Sequence, residues 1–338
     1  MKIYKIGIVG LGRMGQEHLQ LISEHVPSAK VKAVCDLEFN QDAKTLIKKY
    51  GIRDKYTDYK EMLKDPLLDI IYVCTHIDDL TRISIDCIKA NKHTFCEENL
   101  SKSVENIKEL MSVLETSEAK FIVGLNKRFD NNFNSVRDAV LKGKIGEPQV
   151  FKITSRDPDF PSMEYLKNSG GLFFDMTVDD FDMIRYLSKS EIVEVYAMGA
   201  VLIDENIKQF DDIDTATLTL RLANGTLCMI DNSRRATYGY DQRIEVHGSL
   251  GMVTTSNELQ SKAKIYTGYG VIEEKPQYLI LERYKHAYIK ETEHFIACIN
   301  EDKEPLTGCN DSLQALYAAK AAMKSYLENR PVKLSEVR

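Results

Sequence analysis

Apolar residues follow two rhythms along this chain, and the texture changes near residue 145. Up to about residue 125, short apolar runs alternate with segments of helical period. The runs are Lys5-Ile6-Gly7-Ile8-Val9, residues 31–36, residues 69–74, His93-Thr94-Phe95-Cys96 and Phe121-Ile122-Val123-Gly124. A run of that length without polar alternation reads as a strand buried on both faces. Val104, Ile107, Leu110, Met111 and Leu114 recur at three and four, which makes one apolar stripe of a helix. Ser103 is placed to cap that helix, and Glu105 sits in its first turn. Alternation of this kind predicts a parallel sheet with helices on both faces.

Beyond the change, residues 149–155 read as a strand, and Gly170-Gly171 opens a helix running to about Leu187. Strands are predicted over residues 192–201, 215–222, 226–232 and 243–247. Ala223-Asn224-Gly225 marks a hairpin, because Asn-Gly accepts the positive φ of a type I′ turn. Residues 311–329 read as a helix with Pro331 as its stop. This half predicts a largely antiparallel sheet with a few helices, and no internal repeat runs through it.

Composition narrows the class. A chain of 338 residues has room for two domains and a sizeable core. A formal net charge of -6 removes the basic footprint that a nucleic-acid partner requires. No apolar run approaches the roughly 20 residues of a membrane span. The opening Met1-Lys2-Ile3-Tyr4 leads straight into a strand rather than a signal peptide, so the expected compartment is the cytoplasm. Cysteines 35, 74, 87, 96, 228, 298 and 309 show no C-x-x-C spacing, and they read as buried, reduced thiols.

The chemistry begins at Gly10-Leu11-Gly12-Arg13-Met14-Gly15. This G-x-G-x-x-G follows the first strand and precedes a helix, the context a dinucleotide-binding turn needs. The first glycine permits the turn, the second lets backbone approach a pyrophosphate, and the third lets helix and strand pack closely. Free N–H groups at the helix start meet the phosphate charge. Asp36, about 20 residues further on at the end of the second strand, is placed to accept both ribose hydroxyls. A carboxylate there repels the 2′-phosphate of NADP, so NAD is the expected cofactor. Arg13, able to hold a phosphate, is the counter-argument.

These segments resemble the Gfo/Idh/MocA oxidoreductases, and within them the inositol 2-dehydrogenases. The likeness covers nearly the whole chain. It rests on residues 10–15, 93–97, 123–130, 154–158, 170–177, 212–216 and 232–243, of which Asn232-Ser233-Arg234-Arg235-Ala236-Thr237-Tyr238 opens the longest. The resemblance implies an α/β protein of two domains. A Rossmann NAD-binding domain is expected over residues 1–125. An α/β domain with a large, mainly antiparallel open sheet, for substrate binding and assembly, is expected over 126–338. It also implies a homotetramer formed through that sheet. Cofactor contacts are implied for Gly10, Leu11, Gly12, Arg13, Met14, Gly15, Asp36, Thr75, His76 and Glu97, and substrate contacts for Arg128, Tyr238 and Tyr284.

Two positions depart from the family pattern. Glu97-Glu98-Asn99 stands where the family has Glu-Lys-Pro, so Glu98 replaces the lysine that reaches the reacting hydroxyl. Asp179 replaces the histidine that transfers the proton. Lysine and histidine donate hydrogen bonds, whereas ionised carboxylates only accept them. Asp175, Asp179 and Asp182 are spaced i, i+4 and i+7, which predicts one helix face; Asp180 lies off it. With Glu98 directed the same way, several carboxylates gather, and like charges raise the pKa of at least one. A protonated member then serves as general acid or base. The expected catalytic residues are therefore Asp175, Asp179 and Glu98, with Asp182 a substrate contact. No metal is expected, since the histidines lack paired ligand spacing. The expected activity is an NAD-dependent oxidoreductase acting on a hydroxyl or ketone of a cyclitol or sugar-like molecule, with weak or no turnover of myo-inositol. The alternative is a cofactor-holding homologue with altered or lost catalysis, a regulator or partner subunit.

Overall fold

In the computed structural model, which describes residues 2–338, strand β1 (Tyr4–Val9) lies inside a six-stranded sheet. Its companions are β2 (Ala29–Cys35), β3 (Asp54–Tyr56), β4 (Ile70–Val73), β5 (His93–Cys96) and β6 (Phe121–Val123). The order is β3-β2-β1-β4-β5-β6, with every pair parallel. All four residues of β4 are buried, as its unbroken apolar run requires. Burying each of its isoleucines contributes roughly 1.5–3 kcal/mol. The crossovers carry α1 (Arg13–His25), α2 (Gln41–Lys49), α3 (Tyr59–Leu63), α4 (Ile77–Lys89) and α5 (Val104–Leu114). In α5 the expected stripe buries Val104, Ile107 and Leu110, and the Ser103 hydroxyl accepts the Asn106 N–H at 3.2 Å. The strand order reverses between β1 and β4, where doubly wound sheets open a ligand crevice at their carboxyl ends.

The next stretch holds α6 (Asn131–Leu141), β7 (Pro148–Arg156), α7 (Met163–Ser169), α8 (Leu172–Asp175) and α9 (Thr177–Ser188). Then come β8 (Ile192–Ala200), β9 (Thr215–Leu222), β10 (Leu227–Ser233), β11 (Asp241–Gly248), β12 (Gly251–Thr254) and the hairpin of β13 (Lys264–Thr267) with β14 (Gly270–Glu273). Two expectations need correction. The single helix from Gly171 to Leu187 is broken at Met176 (φ -114°, ψ -52°). Asp175 therefore ends one helix, while Asp179 and Asp182 belong to the next. Polar partners in the sheet override the helical period here: Asp175 turns to Arg234, and the buried Thr177 donates its hydroxyl to Asn232 at 2.7 Å. The second correction is the turn between β9 and β10. Leu222 and Thr226 close the hairpin at 2.9 Å, which leaves three loop residues instead of two. Only Gly225 then has positive φ, at 88°. A three-residue loop takes an ordinary turn followed by a glycine bulge, not type I′.

The chain ends with α10 (Ile280–Glu301), α11 (Cys309–Glu328) and β15 (Val332–Lys333). Strand β15 completes a seven-stranded sheet of order β12-β11-β7-β10-β9-β8-β15, in which only β7 and β10 run parallel. Helices α6 and α9 cover one face. On the other face Met198, Leu227 and Met229 are exposed. The described residues form two compact units: residues 2–129 with His286–Leu313, and Asp130–Lys285 with Gln314–Arg338. Residues 286–313, which fall inside the span expected for a second domain, thus pack with the first unit. The buried stripe Tyr288, Glu291, Thr292, Phe295 and Cys298 of α10 accounts for this. Among the described residues no helix is long and apolar enough to cross a membrane.

Candidate active site

The glycine turn is built as its sequence requires. Gly10 has φ +87°, and a Cβ there would stand 2.5 Å from the Cys74 carbonyl oxygen, so the turn packs against the end of β4. A Cβ on Gly15 would stand 1.9 Å from the Gly10 carbonyl oxygen, which fixes helix against loop. Gly12 differs: a Cβ there meets nothing within 4 Å. It is the N-cap of α1, with no side-chain cap and no acid in the first turn. Open space, free N–H groups and the positive end of α1 are what a pyrophosphate needs. Asp36, just past β2, accepts the Leu11 N–H at 2.6 Å and so stands beside the turn. Arg13 is exposed at the start of α1 and Met14 half-buried. These residues fit NAD.

Thr75 and His76 follow β4. His76 is the N-cap of α4 and half-exposed. Glu97 follows β5 directly and is buried. It accepts a hydrogen bond from His18 of α1, whose ring lies 1% exposed among Tyr72, Phe95 and Tyr288, with centroids at 5.1, 5.0 and 5.7 Å. One atom each of His18, Cys74 and Glu97 gathers within 4.8 Å of the others. His18, one turn beyond Gly15, thus holds Glu97 from α1. Burial pushes the Cys74 thiol well up, in line with inert, reduced cysteines. Glu98 is half-buried, and its peptide bond to Asn99 is cis. Arg128 is buried and donates to Asp311 at 2.7 Å and to the Leu306 carbonyl at 3.1 Å, so its fork clamps the α10–α11 loop.

In the second unit Gly170 and Gly171 (φ 90° and 95°) turn the chain into α8. A Cβ on Gly171 would meet an Asp212 carboxylate oxygen at 3.0 Å, and the same oxygen accepts the Leu172 N–H at 2.8 Å. Arg234, fully buried, lies between two acids, Asp175 at 2.8 Å and Asp212 at 3.3 Å. Asp175 also accepts the Tyr165 hydroxyl at 2.5 Å. It is therefore an ion-pair partner rather than one of several like charges along a helix. Asp180 accepts the Asn232 amide at 2.8 Å. Asp182 is 2% exposed, with Arg185 at 3.7 Å, a packed carboxylate of α9. Asp179 is half-buried. Tyr238 is exposed; its hydroxyl donates to Asp241 at 2.6 Å and accepts from Arg156 at 3.0 Å. It lines a cavity of about 1010 Å³ with Asn132, Arg243 and Glu258. Tyr284 is 1% exposed, stacked under Arg283 and turned to Gln242, a core position. Arg234 lies within residues 232–243, and nothing in the local pattern announces its burial.

Comparison with known proteins agrees with this geometry. Residues 4–125 match the oxidoreductase family with an NAD-binding Rossmann fold, and residues 133–254 match the GFO/IDH/MocA C-terminal domain. The myo-inositol 2-dehydrogenase of Thermotoga maritima is 39% identical over 98% of this chain and 99% of its own length. The inositol 2-dehydrogenase of Rhizobium meliloti is 39% identical over 98% and 99%. The Lactobacillus casei scyllo-inositol dehydrogenase, solved with NAD(H) and scyllo-inositol, superposes with a TM-score of 0.92 at 26% identity, over 99% of this chain and 100% of that one. With its glycine turn and two matched domains, this chain belongs to the Gfo/Idh/MocA family of NAD-dependent oxidoreductases.

Proposed function

We propose that this enzyme moves hydride between NAD and a secondary hydroxyl or ketone of a cyclitol or closely related polyol. The observation that carries the cofactor half is the open space at Gly12 beside Asp36. The substrate class follows from the inositol dehydrogenases to which the chain is similar along its length. NAD, when bound, supplies the hydride acceptor. The chain must then take up the hydroxyl proton while the C–H bond gives its electron pair to the cofactor. Asp179 is the proposed proton acceptor and Glu98 the second acid–base carboxylate, with Asp175 holding the geometry through Arg234. Tyr238 is a proposed substrate hydrogen-bond partner, and Thr75, His76 and Glu97 are proposed cofactor contacts. Two acids in place of a lysine and a histidine move local charge in the negative direction. Neutral polyols and amino-substituted cyclitols are therefore the proposed substrates, and uronates are disfavoured.

The assembly we propose is a cytoplasmic homotetramer joined through the open sheet face that carries Met198, Leu227 and Met229. A second reading, a cofactor-binding homologue that has lost turnover, is favoured by the same two residues, because Glu98 and Asp179 are not hydrogen-bond donors when ionised. A panel of cyclitols, aminocyclitols, sugars and uronates, followed at the NADH absorbance band, separates the readings. Turnover of a neutral or amino-substituted member supports the enzyme. NADH binding with no turnover across the panel supports the second reading. Robust oxidation of uronates overturns the charge argument, and oxidation of myo-inositol at ordinary dehydrogenase rates overturns the reading of Glu98 and Asp179 as lost donors.

A further inference from the structure

Behind Glu97 lies a carboxyl group that the cofactor pocket does not explain. Glu291 of α10 is 0% exposed, and among the described residues neither of its oxygens has a hydrogen-bond partner. Its helix neighbours locate it. Tyr288, one turn back, sets its ring edge-on to His18, and Thr292 accepts the Tyr72 hydroxyl at 3.1 Å. His18 binds Glu97 through Nε2 and leaves Nδ1 buried, again without a partner among the described residues. That pattern fits an imidazole with its proton on Nε2, donated to an ionised Glu97. The titratable groups of this cluster are His18 from α1, Tyr72 and Cys74 from β4 and its end, and Glu97 from the end of β5. Burial keeps the Tyr72 hydroxyl and the Cys74 thiol protonated, so the charge acting on Glu291 is that of Glu97.

An ionised Glu291 would be a second negative charge with no cation beside it. Desolvation alone costs several kcal/mol per buried ion, and a like charge adds to it. We propose that Glu291 is kept as a neutral carboxylic acid and acts as the positioning residue of the cofactor pocket, leaving Glu97 as the single ionised carboxylate that holds His18. Burial first, and the Glu97 charge second, raise its ionisation well above the ordinary carboxyl range. When Glu291 does ionise, it and Glu97 become two like charges within one buried cluster. Their repulsion then strains the Glu97–His18 hydrogen bond, and the end of β5 loosens. The role rests on the proposed contact between Glu97 and the cofactor.

Glu291→Gln keeps the shape and cannot ionise. Infrared difference spectra of wild type and E291Q at neutral pH should show the carbonyl stretch of a protonated carboxyl in wild type only. For a carboxyl raised in the folded state, the stability contribution is complete below the ordinary value of 4.5 and is lost as pH rises towards the folded value. The wild-type Tm should therefore fall relative to E291Q as pH rises above 4.5. The Kd for NADH should be equal for the two at neutral pH and weaken severalfold in wild type alone at alkaline pH. Glu97→Gln, measured alongside, should weaken NADH at every pH. An E97Q that binds NADH like wild type removes the positioning role together with the contact it rests on. Absence of the carboxylic-acid band, or superimposable pH profiles of wild type and E291Q, overturns the neutral Glu291 itself.

Discussion

Buried carboxylates are handled in opposite ways by the two units. In the second unit each is matched. Asp130 takes the Arg283 fork at 2.6 Å, and Asp175 and Asp212 share Arg234. Asp241 takes Arg243, Tyr238 and Asn257, each at 2.6 Å, and Asp214 accepts the N–H groups of Leu202, Ile203 and Asp204. In the first unit, Glu97 faces an imidazole and Glu291 has no partner among the described residues. A carboxylate with a fixed cation or several amide donors has one charge state over the useful pH range, and serves as a joint. One without compensation has a charge state that its surroundings can change, and that is where chemistry or its control resides. Counting acids along a helix misses this distinction: Asp175, Asp180 and Asp182 look alike in sequence, yet each is held by a different partner.

Removing a compensating cation tests the contrast most severely. Arg234→Met leaves the half-buried Asp175 and the buried Asp212 without their shared cation, with an expected loss of about 3–5 kcal/mol. Urea unfolding should show the midpoint falling steeply, with Arg234→Lys in between. An R234M midpoint equal to wild type would mean the pairing does not hold this region together. Next in size is a carboxylate whose charge serves recognition. Asp36→Ala should narrow the preference for NADH over NADPH by about tenfold, the worth of a hydrogen bond to a charged group, with little change in Tm. Equal NADH and NADPH affinities in wild type would instead place the ribose hydroxyls elsewhere. The smallest effect belongs to an acid matched at the surface. Arg330 pulls Glu336 down to about 2, but both groups are solvated, so Arg330→Ala should leave the Tm at neutral pH within measurement error. The carboxyl is lowered in the folded state, so whatever the pair contributes is present above 4.5 and disappears as pH falls towards 2.

Local signals carried much of this protein into view. The apolar runs mark five of the six parallel strands and miss only the short β3, Ser103 caps its helix, and the glycine turn with Asp36 points to NAD. What stayed hidden was long-range. Nothing within Leu172–Leu187 announces that Asp175 will be drawn to Arg234 or Thr177 to Asn232, and those bonds break the helix. Nothing near Ala223 says whether two or three residues will close the hairpin, because register is set across strands. Tyr284 and Asp182 have polar atoms suited to a substrate, and their burial is decided by partners far along the chain. Glu291 reads as an ordinary helical acid, and only the fold puts it beneath His18.

The first unit is assembled from two stretches of chain, residues 2–129 and His286–Leu313, and this bears on how the protein is made. On a ribosome the nucleotide-binding half emerges early, with its sheet and glycine turn complete in covalent terms. The face that α10 covers stays bare until almost the whole chain has been synthesised. Closing so long a loop carries an entropic cost that grows with its length, and such distant contacts form late. During that interval His18, Tyr72 and the end of β5 stand in water. The nascent half is then a binding site without its back wall, with apolar surface exposed of the kind that promotes aggregation.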